Sequence, residues 1–188
     1  MLILASTSPR RITILKKFGY QFRVEEPHSS ETINCIEDCA NVAEDKAKSI
    51  KNGGTVLACD TIVVLGSKIL GKPSSYTEAE AYLKELSGKW HEVYTGYAII
   101  NGDYLIKSLV NTKVKFHKIT AIEIGFILKF DNPLDKAGAY GVQEFAGLFV
   151  EKIEGPYYNV VGIPMEHIYW DLKKIGIYPS SIPTKPSI

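Results

Sequence analysis

The sequence has few cysteines, almost no net charge and no long apolar segment. Its three cysteines are an odd number without a paired framework, which argues against a disulfide-stabilised secreted fold. Lys+Arg 22 against Asp+Glu 21 gives a formal charge of +1, too little basic surplus for a dedicated nucleic-acid binder. No apolar run approaches the roughly 18 residues of a membrane helix, and the start MLILAS lacks the basic segment of a signal peptide. We therefore expect a cytoplasmic protein that binds neither nucleic acid nor a membrane.

The length and composition predict an ordinary globular domain. Of the 188 residues, 45% are hydrophobic and 23% are charged. A chain of this length buries roughly 70% of its unfolded surface and needs no disulfide or structural metal. We expect one domain over residues 1–178, followed by a Pro/Ser-rich tail over residues 179–188.

A zinc site is not supported by the thiols. Cys35 and Cys39 are four residues apart and share a helix face, which is half of a metal site. Zinc would need two more soft ligands. The histidines are scattered along the chain, at His28, His91, His117 and His167. We therefore interpret the cysteines as reduced, partly buried thiols.

Helical and strand patterns alternate along the chain. This alternation predicts an α/β fold with a mixed twisted sheet and flanking helices. The predicted helices cover residues 9–18, 36–50, 77–86, 120–130 and 164–174, and the predicted strands cover 2–5, 21–24, 55–65, 68–70, 90–100, 104–110, 112–116, 148–153 and 160–161.

The turn between the first strand and the first helix suits a phosphate group. Ser8 is a good N-cap and Pro9 a good first helical residue. The N-terminus of a helix attracts anions, and the hydroxyls of Ser6 and Ser8 add donors. Arg10 and Arg11 project about 100° apart around a helix, so they serve different tasks. The alternative is a capped surface helix with solvated arginines.

Asp60 interrupts the apolar run 55–65. A buried carboxylate is costly unless it is paired or bound to a cation, so we expect Asp60 at a strand end facing a cleft. There it could hold Mg²⁺ or accept a proton from an attacking water. The alternative is a strand-end carboxylate that accepts backbone N–H bonds.

Three further charged residues accompany it. Lys72 lies between Gly71 and Pro73, which could aim its ammonium group at the same cleft. Lys46 lies on the predicted second helix, and Glu31 lies in a polar loop. Taken singly, each lysine has the alternative interpretation of a solvated surface charge.

A glycine-spaced segment, DKAGAYGVQ, covers residues 135–143. Its glycines, three residues apart, indicate close backbone approach to a ligand or to another strand. Gln143 offers a donor and an acceptor, which suits the edge of a base. The P-loop, dinucleotide and serine-hydrolase motifs are absent. The residues together suggest a Mg²⁺-assisted site for a phosphate ester or anhydride.

Six segments taken in order resemble the Maf family of nucleoside triphosphate pyrophosphatases. They are LASTSPRR at 4–11, DT at 60–61, GKP at 71–73, LSGKWHEVYTG at 86–96, DKAGAYGVQ at 135–143 and GPYYNVVGIP at 155–164. The resemblance implies an inosine triphosphatase-like fold with two lobes around a central cleft. It also implies a homodimer and hydrolysis of a nucleoside triphosphate to the monophosphate and pyrophosphate, which clears unwanted nucleotides from the pool. The implied cofactor is a divalent cation, Mg²⁺ or else Mn²⁺ or Co²⁺.

The resemblance also assigns roles to residues. Asp60 matches the proton acceptor, and Glu31 matches an acidic position near the metal, with Asp60 as a second metal ligand. The positions that line the phosphates are matched by Ser6, Arg11, Lys46 and Lys72, and we add Ser8 from the same turn as a hydroxyl donor to the phosphates. Arg10, Thr61 and Gln143 match the positions that separate subgroups, and they resemble the dTTP/UTP pyrophosphatases. A Gln amide complements a neutral uracil or thymine edge.

Three positions depart from the family pattern, and two other functions compete with hydrolysis to pyrophosphate. Ser30 stands where an Asp is common, His117 near a common Arg, and Glu144 where Gly is common.

One competing function is a nucleotide-binding regulator, for example of cell division or septum formation, with little turnover. The other is a phosphatase that releases orthophosphate. Asp60 cannot be both a full metal ligand and a free base, and the sequence leaves that choice open.

Overall fold

The computed structural model describes residues 1–29, 32–51 and 53–180. Its strands are β1 (Leu2–Ala5), β2 (Phe22–Glu25), β3 (Thr55–Leu65), β4 (Lys68–Leu70), β5 (Trp90–Asn101), β6 (Tyr104–Phe116) and β7 (Val150–Glu154). Its α-helices are α1 (Pro9–Lys17), α2 (Asp38–Ser49), α3 (Tyr76–Leu86), α4 (Ala121–Phe130), α5 (Tyr157–Val161) and α6 (Met165–Lys174). Short 3₁₀ helices cover Pro133–Asp135, Ala137–Ala139 and Phe145–Phe149. The predicted α/β class is confirmed.

The strands form one mixed sheet in the order β2-β1-β3-β5-β6-β7, with β4 paired to β3. Strand β1 lies between two parallel neighbours, with Leu2 opposite Phe22 on one side and Thr55 on the other. The β3–β4 and β6–β7 pairs are antiparallel. All four residues of β1 are buried, as expected of a parallel strand that is covered on both faces.

The chain divides into two compact units. Unit 1 comprises Met1–Asp60, Thr95–Leu109 and the chain from Gly162 onward, and unit 2 comprises Thr61–Tyr94 and Val110–Val161. Each unit has its own hydrophobic cluster. That of unit 1 includes Ile3, Ala43, Ala47, Val56 and Ala98, and that of unit 2 includes Leu70, Leu83, Val114, Phe116 and Ile127.

The predicted strands differ from the structure at two places. Residues 160–161 belong to α5, because the buried Asn159 donates to the Val93 carbonyl at 2.9 Å and to Thr112 Oγ1 at 3.0 Å, which outweighs the strand preference of two valines. The predicted strands 104–110 and 112–116 form the single strand β6. Asn111 does not break it, because its amide donates to Glu92 Oε1 at 3.0 Å.

Of the predicted tail, only its first two residues are described. Pro179 is buried, and the Ser180 N–H donates to the Gly19 carbonyl at 2.9 Å. Within the described residues, no helix is both long and apolar enough to cross a membrane.

Candidate active site

The first turn of unit 1 has the predicted form. Ser8 occupies the N-cap of α1 with extended backbone, and Pro9 follows as the first helical residue. The Ser8 side chain makes no capping bond. Its N–H instead donates to Ser6 Oγ at 3.2 Å, and Ser6 is only 4% exposed. The Ser8 hydroxyl therefore does not cap α1, whose N-terminus attracts anions through its partial positive charge.

Arg11 is held in place from two sides. Its Nη1 donates to Ser6 Oγ at 3.3 Å, and its Nε donates to the Gly162 carbonyl at 2.8 Å. The alternative of a solvated arginine is therefore wrong for Arg11. Arg10, one residue earlier and half-buried, leaves α1 on a different face, in agreement with the predicted divergence.

Asp60 lies inside strand β3 and not at a strand end, so that prediction is wrong. The strand continues without interruption from Thr55 to Leu65, and Asp60 is 8% exposed. Its Oδ1 lies 2.7 Å from Lys46 Nζ. The strand tolerates this buried carboxylate because an ammonium group pairs with it.

Lys46 is buried as well, at 4% exposed, so the alternative of a solvated surface charge is also wrong. It lies on α2, which packs directly on β5 at Gly96. A Cβ at Gly96 would lie 2.4 Å from the Cys39 carbonyl oxygen and 2.5 Å from Ala40 N. Only glycine permits this approach, which brings α2 close enough to the sheet for Lys46 to pair with Asp60.

The charges around the Lys46–Asp60 pair affect the pKa values of two buried thiols. Burial, followed by the negative charge of Asp60, raises the pKa of the Cys39 thiol to about 12. Burial raises the pKa of Cys59 to about 11, against the opposing charges of Arg11 and Lys46. Arg11 and Asp60 therefore act in one electrostatic neighbourhood of unit 1. The thiols stay protonated, and Cys39 Sγ donates to the Asp60 carbonyl at 3.2 Å.

The interpretation of the cysteines as reduced thiols agrees with the structure. All three are free, with Cys39 and Cys59 buried and Cys35 exposed. The described ranges contain no group of three or more His, Cys, Asp or Glu side chains that could hold a metal ion.

Unit 2 contains the remaining described site residues. Thr61 follows Asp60 in β3, so the two side chains leave opposite faces of the strand. Lys72 is exposed, and it follows Gly71, whose carbonyl accepts the Gly138 N–H at 3.1 Å. This bond connects the Lys72 segment to the glycine-spaced segment 135–143.

The glycines of that segment approach other protein atoms. Gly138 has a φ of 65°, and a Cβ there would lie 2.9 Å from Val63 Cγ2 on strand β3. Of the two predicted partners for a close approach, the strand is the one observed at Gly138. Gln143, near the end of this segment, is exposed.

A divalent cation fits the donor set around Asp60. Lys46 pairs with Oδ1, which leaves Oδ2 as an oxygen ligand. Mg²⁺ in enzymes is commonly bound by one or two carboxylates together with substrate phosphates and water, so one carboxylate oxygen suffices. Glu31, the other predicted ligand, lies outside the described residues, as does Ser30.

Sequence reasoning missed three residues that position the site. Gly162 orients Arg11 through its carbonyl. Gly96 sets the distance between α2 and the sheet. Cys39 Sγ also accepts the Gly96 N–H at 3.2 Å, which ties the same helix to β5. Both glycines lie in the segments that resemble the family, and glycine between bulky residues was the available signal.

Comparison with known proteins gives one consistent result. The family model described as Maf-like protein matches residues 1–175. The chain is 46% identical to the dTTP/UTP pyrophosphatase of Thermosipho melanesiensis over 91% of this chain and 95% of that protein. It is 46% identical to that of Thermococcus gammatolerans, over 94% and 97%, and 41% identical to that of Clostridium botulinum, over 94% and 97%. The solved structure of the Staphylococcus aureus Ham1 protein matches 63% of this chain and 71% of its own, at 18% identity and a TM-score of 0.44.

Proposed function

The chain belongs to the Maf-like protein family, and from this membership we propose that it hydrolyses dTTP and UTP to the nucleoside monophosphate and pyrophosphate. Curated relatives at 40–46% identity carry this activity in their names. Pyrimidine triphosphates with a modified base belong to the same substrate class. The reaction clears such triphosphates from the nucleotide pool.

The buried Lys46–Asp60 pair is the observation that carries the proposal. It lies in the same unit as the helix N-terminus with Ser6 and Arg11, and the charges of Arg11 and Asp60 act on the same thiol. A protein that only binds phosphates gains nothing from a buried carboxylate, because the carboxylate repels them. A hydrolase uses that carboxylate to orient a water or to accept its proton.

The cationic and hydroxyl groups bind the triphosphate. We assign this task to Ser6, Ser8, Arg11, Lys46 and Lys72. The Ser6 Oγ already accepts bonds from Ser8 and Arg11, so its own proton is directed to a ligand oxygen. Rigid donors of this kind stabilise charge that develops on the phosphate oxygens.

Asp60 acts on the attacking water. The contact with Lys46 fixes its carboxylate, which orients the water in line with the bond that breaks. The water oxygen joins the α-phosphorus while one of its protons passes to the Asp60 carboxylate. The bond between the α-phosphorus and the α–β bridging oxygen breaks, and pyrophosphate leaves with that oxygen. Asp60 and Glu31 are the proposed ligands that would hold a divalent cation, Mg²⁺ or else Mn²⁺ or Co²⁺, and the cation would supply positive charge beside the phosphates.

Base selection is assigned to Arg10, Thr61 and Gln143. Arg10 projects from a different face of α1 than Arg11, so we assign it to a part of the ligand other than the phosphates. The Gln143 carboxamide complements the carbonyl and N–H of uracil or thymine.

Release of pyrophosphate from dTTP and UTP with Mg²⁺ tests the proposal. We expect the wild type to release pyrophosphate and Asp60→Asn to be at least about 100-fold slower. Asp103→Asn, in the exposed turn between β5 and β6, is the matched control and retains full rate. Equal rates for wild type and Asp60→Asn contradict the mechanism. Orthophosphate as the product indicates a phosphatase, and tight binding without turnover indicates a regulator.

The remaining expectations concern assembly and location. We propose a homodimer on the basis of the family resemblance. Light scattering after size-exclusion chromatography measures this oligomeric state directly.

We also propose a cytoplasmic location, since all three thiols are free. Cell fractionation with an antibody against the chain tests this location.

A further inference from the structure

The backbone on both sides of Gln143 is fixed. After it, both oxygens of the buried Asp131 carboxylate accept backbone bonds, from Phe145 N–H and Ala146 N–H at 2.9 Å each. Across it, the Glu144 N–H donates to the Gly141 carbonyl at 3.1 Å. Gln143 therefore projects from a closed turn and not from a loose loop.

An ion pair between the buried Lys136 and the half-buried Glu144 closes the same turn. Lys136 is 3% exposed, and its Nζ lies 2.7 Å from Glu144 Oε2 and 2.6 Å from the Asn132 carbonyl. Gly141 leaves room for this pair, since a Cβ there would lie 3.0 Å from Lys136 Cε and 3.2 Å from Glu144 Cδ. Glu144 is thus held in place, because its departure would leave a buried ammonium without a carboxylate.

The orientation of a carboxamide decides which base edge it can pair with. Uracil offers a carbonyl oxygen and an N–H at its pairing edge, whereas cytosine offers an amino group and a bare nitrogen. A carboxamide can turn over and pair with either edge. Discrimination between the two bases therefore requires the carboxamide to be held in one orientation toward the base, and a fixed backbone at Gln143 is the first condition for this.

We propose that Glu144, held by Lys136, is a positioning residue for Gln143, and that it sets the selectivity of the site for uracil and thymine nucleotides over cytosine nucleotides. This inference rests on the proposed function and adds to it a residue outside the assigned site. Glu144 touches no substrate and acts through the residue before it.

Steady-state kinetics on UTP and CTP test the inference. We expect Glu144→Gln to lower the ratio of kcat/KM for UTP over CTP by about tenfold, through KM, with kcat on UTP retained. Gln143→Ala lowers the same ratio, and the double variant falls no further, because both changes act through one carboxamide. Glu151→Gln, an exposed carboxylate of the same unit that faces His117, leaves the ratio unchanged.

Lys136→Met/Glu144→Gln removes the whole ion pair, so it reports on selectivity even if Glu144→Gln alone does not fold. An equal loss of rate on UTP and CTP, or additive effects of the two single changes, overturns the inference. If the wild type hydrolyses no nucleotide, the proposed function fails separately. Calorimetric titration with UTP and CTP then measures the same selectivity as a ratio of affinities, and an unchanged ratio in Glu144→Gln overturns the positioning role.

Discussion

Three residues proposed for the site are buried in unit 1, and Ser8, Arg10 and Arg11 of that unit are half-buried, whereas the three proposed in unit 2 are exposed or half-buried. Ser6, Lys46 and Asp60 are each at most 8% exposed. Lys72 and Gln143 of unit 2 are exposed, and Thr61 is half-buried. Both units contain a buried lysine, but Lys46 pairs with a proposed catalytic carboxylate and Lys136 pairs with a carboxylate beside Gln143.

This difference indicates that the buried and the exposed site residues have different roles. Desolvated, paired charges interact strongly and stay fixed, which suits the groups that stabilise charge during bond cleavage. Exposed side chains on turns interact more weakly with any one ligand atom, which suits recognition of the base. Changes at the buried site residues of unit 1 should therefore reduce turnover of every nucleotide, and changes at Thr61 or Gln143 of unit 2 should alter selectivity. Changes elsewhere in unit 2, apart from Lys72 and the Lys136–Glu144 pair, should alter stability alone.

The largest expected effect is that of Lys46→Met. It leaves the buried Asp60 carboxylate unpaired, which should lower the free energy of unfolding by about 3–5 kcal/mol and the rate on every nucleotide by about 100-fold or more. Lys46→Met/Asp60→Asn, without either charge, should regain most of the stability and none of the activity. Urea unfolding and pyrophosphate release measure both. If Lys46→Met and the double variant have the same free energy of unfolding, pairing with Lys46 is not what offsets the cost of burying Asp60.

The next effect concerns the contact between α2 and β5. Gly96→Ala places a methyl group against the backbone of Cys39 and Ala40, and should cost about 2–3 kcal/mol of unfolding free energy together with turnover. Gly125→Ala is the matched control in unit 2. A Cβ at Gly125, within α4, meets nothing within 4 Å, so this change should stabilise the protein by about 0.5–1 kcal/mol. Urea unfolding should show opposite signs, and the same sign for both would contradict the close packing at Gly96.

The pH dependence of stability should single out His91 of unit 2. Burial lowers the pKa of His91 to about 4 from an ordinary 6.5. Between these values the unfolded chain binds a proton that the folded protein excludes, so stability falls as the pH falls. The expected loss is about 2 kcal/mol between pH 8 and pH 5. His91→Gln should flatten this part of the stability curve, and an unchanged slope in urea unfolding would refute the assignment.

The smallest expected effect compares two helix caps. Thr120 in unit 2 accepts the Glu123 N–H in a reciprocal capping box, so Thr120→Ala should cost about 1 kcal/mol. Ser8 in unit 1 occupies the same position of α1 without a side-chain bond, so Ser8→Ala should cost only about a few tenths of a kcal/mol. It should instead weaken triphosphate binding. Thermal unfolding measures the loss of stability in each variant, and KM measures the change in triphosphate binding. A loss of stability in Ser8→Ala as large as that in Thr120→Ala would contradict the comparison.

Prediction from the sequence succeeded where the signal was local. Strand β1, the start of α1 at Pro9 and the end of α3 at Leu86 lie at or within a residue of their predicted bounds. It failed at residues 160–161, where two valines favour a strand, because Asn159 is buried and bonded to groups 47 and 66 residues away. The interruption at Asn111 looked like a strand break for the same reason, since its bonding partners lie on another strand.

For the candidate site, the sequence indicated residue types but not their surroundings. Asp60 was expected at a strand end because its partner could not be identified in the pattern. Lys46, 14 residues earlier, looked like one charge among several on a helix face. The family resemblance named both residues, and the structure supplied the physical reason why the two belong together.

The sequence by itself determined the succession of helices and strands, the turn at Ser8 that suits an anion, and the family to which the chain belongs. These depend on backbone preferences and motifs that act over a few residues. Only the tertiary structure decided that Asp60 remains inside β3, that α2 meets β5 at Gly96, and that Arg11 bonds to a carbonyl 151 residues away. The free energy of burying a charge depends on which partner the fold brings beside it, and no local pattern specifies that partner.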